Sequence, residues 1–143
     1  MIPAFAISQL PQIVFGDGTL AQVPALAAGF GRRALLVTGG RSFRETPHWE
    51  LLTAGLRRQD VAWEELRIDS EPSPQLIDAA VARFRDAAID AVIGVGGGSV
   101  LDAAKAVAGL LPHGNSVMDH LEGVGPELPY KGPATPFIAV PTT

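Results

Sequence analysis

The stretch Gly94-Val95-Gly96-Gly97-Gly98-Ser99 holds the residues best suited to chemistry. Glycines let a chain turn sharply and let a ligand approach the main chain closely. A helix starting beyond them offers N–H groups without intrahelical partners and a partial positive charge, a combination that suits a phosphate or pyrophosphate. The pattern departs from the dinucleotide fingerprint G-x-G-x-x-G. Ser99 stands where the third glycine belongs, and no acidic residue ends a following strand about twenty residues on. No Lys-Ser/Thr pair closes the turn, so it is not a P-loop. These residues favour a phosphate site over a plain tight turn. Ser99 and Asp102 also form an S-x-x-D capping box with Ser99 as N-cap. Asp102 and Lys105 are neighbours on the same helix. Capping and ligand binding are compatible for Ser99. For Asp102, capping competes with ligand contact, because a carboxylate beside a pyrophosphate is repulsive unless it meets a hydroxyl or Lys105.

Other chemistries have less to work with. The histidines are His48, His113 and His120, and none falls in an H-x-x-x-H or similar ligand spacing, so they read as surface or loop residues. The absence of cysteine excludes a disulfide framework, a thiolate metal site and a cysteine nucleophile. A net charge of −4 gives no basic excess for nucleic acid. No apolar run approaches the roughly 18 residues of a membrane span, and MIPAFAISQL lacks the basic start of a signal peptide. The expected compartment is the cytosol. The 143 residues are 47% hydrophobic and 18% charged, enough apolar chain for one real core.

The elements that must position the glycine turn follow from hydrophobic pattern. Residues 4–8 (AFAIS) and 12–15 (QIVF) read as two short strands, closed by a turn at Gly16, Asp17 and Gly18. Thr19 to Phe30 can form a helix whose first turn Pro24 restricts. ALLVTGG (34–40) is a continuous apolar run ended by glycines, the mark of a strand buried on both faces. Residues 44–58 place Trp49, Leu52 and Leu56 on one helical face, with Pro47 in the first turn. Residues 61–68 (VAWEELRI) read as a strand near an edge. In SEPSP (70–74), Ser73 can cap and Pro74 fits the first helical position. Ile77, Ala80, Val81, Phe84 and Ala88 then form an apolar stripe. A buried strand, AVIGV (91–95), leads into the glycine turn and a helix over about residues 99–111, with Val100, Ala103, Ala104, Val107 and Leu111 inward. Residues 112–135 are rich in Gly and Pro, with one short helical candidate, SVMDHLEG. The last strand, PFIAV (136–140), is again read as buried and runs into Pro141, Thr142 and Thr143. This alternation predicts an α/β fold with an open, mostly parallel sheet and helices on both faces. Ligands in such sheets bind at the carboxyl ends of the strands. A chain stopping there is expected to be a fragment of a longer protein.

GGGSVLDAAKA (96–106), followed at a distance by FIAVPTT (137–143), resembles the iron-containing (group III, metal-dependent) alcohol dehydrogenase family. IVFGDGTL (13–20), LLVTGG (35–40) and SEPSP match further family segments in the correct order. The resemblance implies the family's N-terminal domain, a Rossmann-like sheet of the dehydroquinate synthase type, over residues 1–143. It implies that the helical C-terminal domain, which holds a catalytic iron or zinc, is absent. The chain would then bind cofactor and not turn over substrate alone. Carried over residue by residue, Gly96, Gly97, Gly98 and Ser99 would hold the pyrophosphate. Asp102, Thr142 and Thr143 match family positions beside the cofactor. Many NAD-using members carry an aspartate after the VT of the second segment. Here that position is Gly39, followed by Gly40, Arg41 and Ser42. Loss of the carboxylate and gain of a guanidinium and hydroxyl suit a 2′-phosphate, so NADP is favoured over NAD. The other reading leaves Arg41 solvated and Gly39-Gly40 as a simple turn.

The full enzyme implied is an NAD(P)-linked oxidoreductase acting on a small alcohol or aldehyde. Glycerol dehydrogenase, maleylacetate reductase and dehydroquinate synthase share the fold and are the enzymatic alternatives. A stand-alone nucleotide-binding module and a remnant that binds nothing are the others. The family resemblance also implies a homodimer formed through the N-terminal strands at residues 4–15.

Overall fold

The computed structural model describes residues 10–143. Four parallel strands form one sheet: β1 (Arg33–Gly39), β2 (Ala62–Ile68), β3 (Ala91–Gly96) and β4 (Phe137–Pro141), in the spatial order β2-β1-β3-β4. The helices are α1 (Val23–Ala28), α2 (Pro47–Arg58), α3 (Pro74–Phe84) and α4 (Gly98–Leu110). This is the α/β architecture that the alternation predicts, and every strand pair is parallel.

Period-two alternation along the central strands divides the core into two layers. Leu35, Val37 and Val92 face α3 and α4, meeting Ile77, Phe84, Ala103 and Val107. Ala34, Leu36, Ile93 and Val95 face α1 and α2, meeting Ala27, Leu52 and Leu56. β1 and β3 are covered on both faces, which explains their unbroken apolar sequence. Each fully buried Leu or Ile contributes roughly 1.5–3 kcal/mol through area removed from water. β2 lies at an edge, as its polar middle suggests.

The helix starts follow their local chemistry. The Ser73 hydroxyl accepts from the Leu76 N–H at 3.2 Å, with Pro74 opening α3. Pro24 and Pro47 sit in the first turns of α1 and α2, where a missing N–H costs nothing.

Several boundaries differ from expectation. Residues 12–15 form no strand, and Ile13 and Phe15 are 80% and 98% exposed. A strand needs a ladder partner, and none of the four described strands pairs with this segment. The expected strand at 4–8 lies outside the described residues. The segment from Thr19 begins as a 3-10 turn (Thr19–Gln22), and α1 proper starts beside Pro24. Ala88 is exposed at φ 51°, past the end of α3 at Phe84, so it is not part of the buried stripe. SVMDHLEG yields only a 3-10 turn, Val117–His120. β4 is an edge strand and only half-buried, whereas its composition suggests full burial.

Candidate functional site

All four strands end on the same edge of the sheet because all run parallel. From β1 the chain crosses outward to β2, then returns to β3 on the other side of β1. The ends of β1 and β3 therefore flank a topological switch point, where open α/β sheets form ligand crevices. Gly39 ends β1 on the α4 side. A Cβ on it would lie 3.7 Å from Val100 Cγ2, in the first turn of α4.

The glycines after β3 have two separate jobs. Gly94 and Gly96 are closed by packing: a Cβ on Gly94 would lie 2.8 Å from Ala104 Cβ, and one on Gly96 would lie 2.7 Å from Val100 Cβ. They let α4 press directly on β3. Gly97 and Gly98 are open. A Cβ on Gly97 would meet only the Thr143 side chain, at 3.6 Å, and one on Gly98 would meet nothing within 4 Å. Gly97 is the N-cap of α4, extended at φ −78°, ψ −171°, with no side chain to cap the helix. The N–H groups of Gly98, Ser99 and Val100, which begin α4, have no carbonyl one turn earlier to bond. Open backbone, unpaired N–H groups and the positive end of the helix dipole meet at one place.

Ser99 is not the N-cap. It stands one residue inside α4, and its hydroxyl donates to Glu71 Oε1 at 2.8 Å. The capping box with Asp102 is therefore not formed, because the glycines allow the helix to start earlier. Asp102 instead faces Lys105 at 3.5 Å, both 69% exposed. The Thr142 N–H donates to the Gly96 carbonyl at 3.0 Å, and Thr143 lies over Gly97. The fold thus brings Gly39, Gly96, Gly97, Gly98, Ser99, Thr142 and Thr143 to one edge, and Asp102 follows in α4 with Lys105 as its partner.

The loop after β1 is built from side chains. Arg67 Nη2 donates to the Gly40 carbonyl at 2.9 Å and lies 3.9 Å from the Asp69 carboxylate. A Cβ on Gly40 would lie 2.8 Å from Asp69 Oδ1. Arg41 and Ser42 follow, both exposed. Arg44 then pairs with Glu65 of β2 and lies 4.3 Å over the Trp49 ring. Burial alone would raise the Glu65 carboxyl. The hydrogen bonds from Arg44 and Trp63 and the charges of Arg44 and Arg67 outweigh it and hold Glu65 below the usual carboxylate range.

Arg67, Asp69 and Glu71 are the site neighbours that sequence reasoning missed. The segment carrying them was legible only as a strand and a helix start. Their signal is topological: the end of β2 shares an edge with the ends of β1 and β3. His113 and His120 flank Tyr130, with ring centroids 5.6 and 6.0 Å from it. They line a cleft of about 350 Å³. The Tyr130 hydroxyl donates to the Gly109 carbonyl at the far end of α4, away from the glycine edge. Among the described residues, no three His, Asp or Glu side chains come together as a metal site.

The sequence matches the family model for iron-containing alcohol dehydrogenases over residues 11–143. The chain belongs to that family. Within it, the chain is 33% identical over 99 residues to the probable NADH-dependent butanol dehydrogenase 2 of Bacillus subtilis, covering 68% of this chain and 25% of that protein. It is 37% identical over 131 residues to long-chain-alcohol dehydrogenase 1 of Geobacillus thermodenitrificans, covering 90% and 32%. The crystal structure of NADH-dependent butanol dehydrogenase A from Thermotoga maritima superposes with a TM-score of 0.85 at 29% identity, covering 97% of this chain and 34% of that one. The chain thus spans a quarter to a third of the length of these relatives. No described helix is long and apolar enough to cross a membrane.

Proposed function

We propose that residues 1–143 form a single nicotinamide-dinucleotide-binding domain, the N-terminal part of a metal-dependent alcohol dehydrogenase. The observation that carries this reading is the open Gly97-Gly98 backbone at the start of α4, facing the switch point between β1 and β3. Gly96, Gly97, Gly98 and Ser99 would receive the pyrophosphate through main-chain N–H groups. Thr142 and Thr143 would stand on the side toward β4. The bound nicotinamide supplies the hydride acceptor or donor for alcohol and aldehyde interconversion. The iron or zinc that polarises the substrate oxygen would be held by a helical domain outside this chain. The chain's own residues orient the cofactor.

Gly39 to Ser42 would hold the adenosine end. No carboxylate stands at position 39, and Arg41 follows two residues later. The Arg67 guanidinium lies beside the Gly40 carbonyl and offsets Asp69. This balance supports a 2′-phosphate, hence NADP, because guanidinium groups bind phosphate with paired N–H donors.

Calorimetric titration of the chain with NADPH and NADH in parallel tests the reading. NADPH is expected to bind about tenfold tighter, and Arg41→Ala to remove most of that difference. A preference for NADH would overturn the NADP assignment and leave the dinucleotide site standing. A chain that melts cooperatively and binds neither would overturn both.

A further inference from the structure

The Ser99 hydroxyl and the first N–H groups of α4 are the donors that the proposed pyrophosphate needs. One of them is already engaged. Glu71 Oε1 accepts from Ser99 Oγ at 2.8 Å, across 28 residues of sequence. The contact joins the loop after β2 to the start of α4. Gly97 brings no side-chain acceptor to the helix end, and the Glu71 carboxylate supplies negative charge there. It sits where the helix dipole favours an anion.

Glu71 is held there by its neighbours. Pro72 disfavours helical backbone at the residue before it, and Glu71 lies in the bend between β2 and α3. Ser73 is locked as the cap of α3, with Pro74 behind it. The side chain is exposed, so it can leave Ser99 without disturbing the core. The other nearby charges are spoken for: Asp69 faces Arg67, and Asp102 faces Lys105.

We infer that Glu71 is an internal competitor of the pyrophosphate, a carboxylate that holds the Ser99 hydroxyl and must move off when the dinucleotide binds. The inference rests on the nucleotide reading above. Two anions sharing one helix start repel each other, and both want the same hydroxyl proton. Glu71 would therefore set cofactor affinity below what the backbone cradle alone allows, and would ease release.

Glu71→Gln and Glu71→Ala test this by NADPH titration at low and high salt. Both variants are expected to bind NADPH on the order of fivefold tighter at low salt, with the gain shrinking as salt screens the repulsion. Their melting temperatures should fall slightly, since the helix start loses a favourable charge. If Glu71 merely positioned Ser99 for the ligand, both variants would bind more weakly, and that result overturns the inference. Unchanged affinity, or a gain that salt does not alter, overturns it as well while leaving the nucleotide site intact. Absence of NADPH binding in the wild-type chain and both variants would remove the inference together with the reading beneath it.

Discussion

The ends of β1 and β3 lie side by side, yet they are built differently. The end of β3 is backbone. Gly94 and Gly96 vanish under α4, and Gly97 and Gly98 open outward, so the shape of the turn is fixed by how closely a helix packs on a strand. The end of β1 is side chain. Its loop is tied down by Arg67 on the Gly40 carbonyl, by Arg44 on Glu65, and by Arg44 over Trp49. A backbone cradle suits the pyrophosphate that every nicotinamide dinucleotide shares. A loop held by exchangeable charges suits the adenosine end, where NAD and NADP differ. In the proposed site, affinity and selectivity thus sit on neighbouring strand ends with different physical supports.

The sharpest break of that comparison is to add one side chain on each side of the β3 turn. Gly94→Val drives a Cβ to 2.8 Å from Ala104 Cβ inside the sheet–helix contact. The two backbones cannot yield cheaply, so a loss of about 3 kcal/mol is expected, read as a lowered urea midpoint at constant slope. Gly98→Val adds more atoms to a position that meets nothing within 4 Å. Stability should stay within about 0.5 kcal/mol, while NADPH affinity should fall at least tenfold because the cradle is filled. A Gly98→Val chain that binds NADPH like the wild type would show that the open glycines do not hold the nucleotide.

The same division explains what could be read from the sequence. The apolar runs ALLVTGG (34–40) and AVIGV (91–95) announced buried parallel strands, and Ser73-Pro74 announced the start of α3, because periodicity and capping are local. The glycine turn was legible for the same reason. Glu71, Arg67 and Asp69 were not, because their role depends on β2 ending beside β1, a relation between residues far apart in the chain. The misread start of α4 is instructive. Ser99-x-x-Asp102 has the right residues for a capping box, but the glycines before it let the helix begin two residues earlier than the side chains suggest, with Gly97 as its N-cap. The misread strand at 12–15 shows the reverse: an apolar run by itself fixes no strand, and none of the four described strands pairs with this one.

The smallest expected effect sharpens the β1 side. Glu65 holds Arg44, and through it the loop from Gly40 to Thr46, and its carboxyl sits below the usual range. A carboxyl whose folded pKa is depressed adds stability above its unfolded pKa, roughly 4.3 for glutamate. That stability is lost as pH falls through the folded value. Wild-type chain and Glu65→Gln, compared by urea midpoint from about pH 7 to pH 3, should therefore converge at the acid end, since the other carboxylates are common to both. The pair is partly exposed, so the difference at neutral pH should be modest, on the order of 1 kcal/mol or less, and should shrink in salt. Amide exchange should localise it. In acid the protection of residues 40–46 should fall toward that of the variant, while residues 94–96, whose backbone is set by the packing of α4 on β3, should keep theirs. Equal loss at both strand ends would mean that the two are one cooperative unit, and that the separation of a backbone cradle from a charge-held loop is wrong.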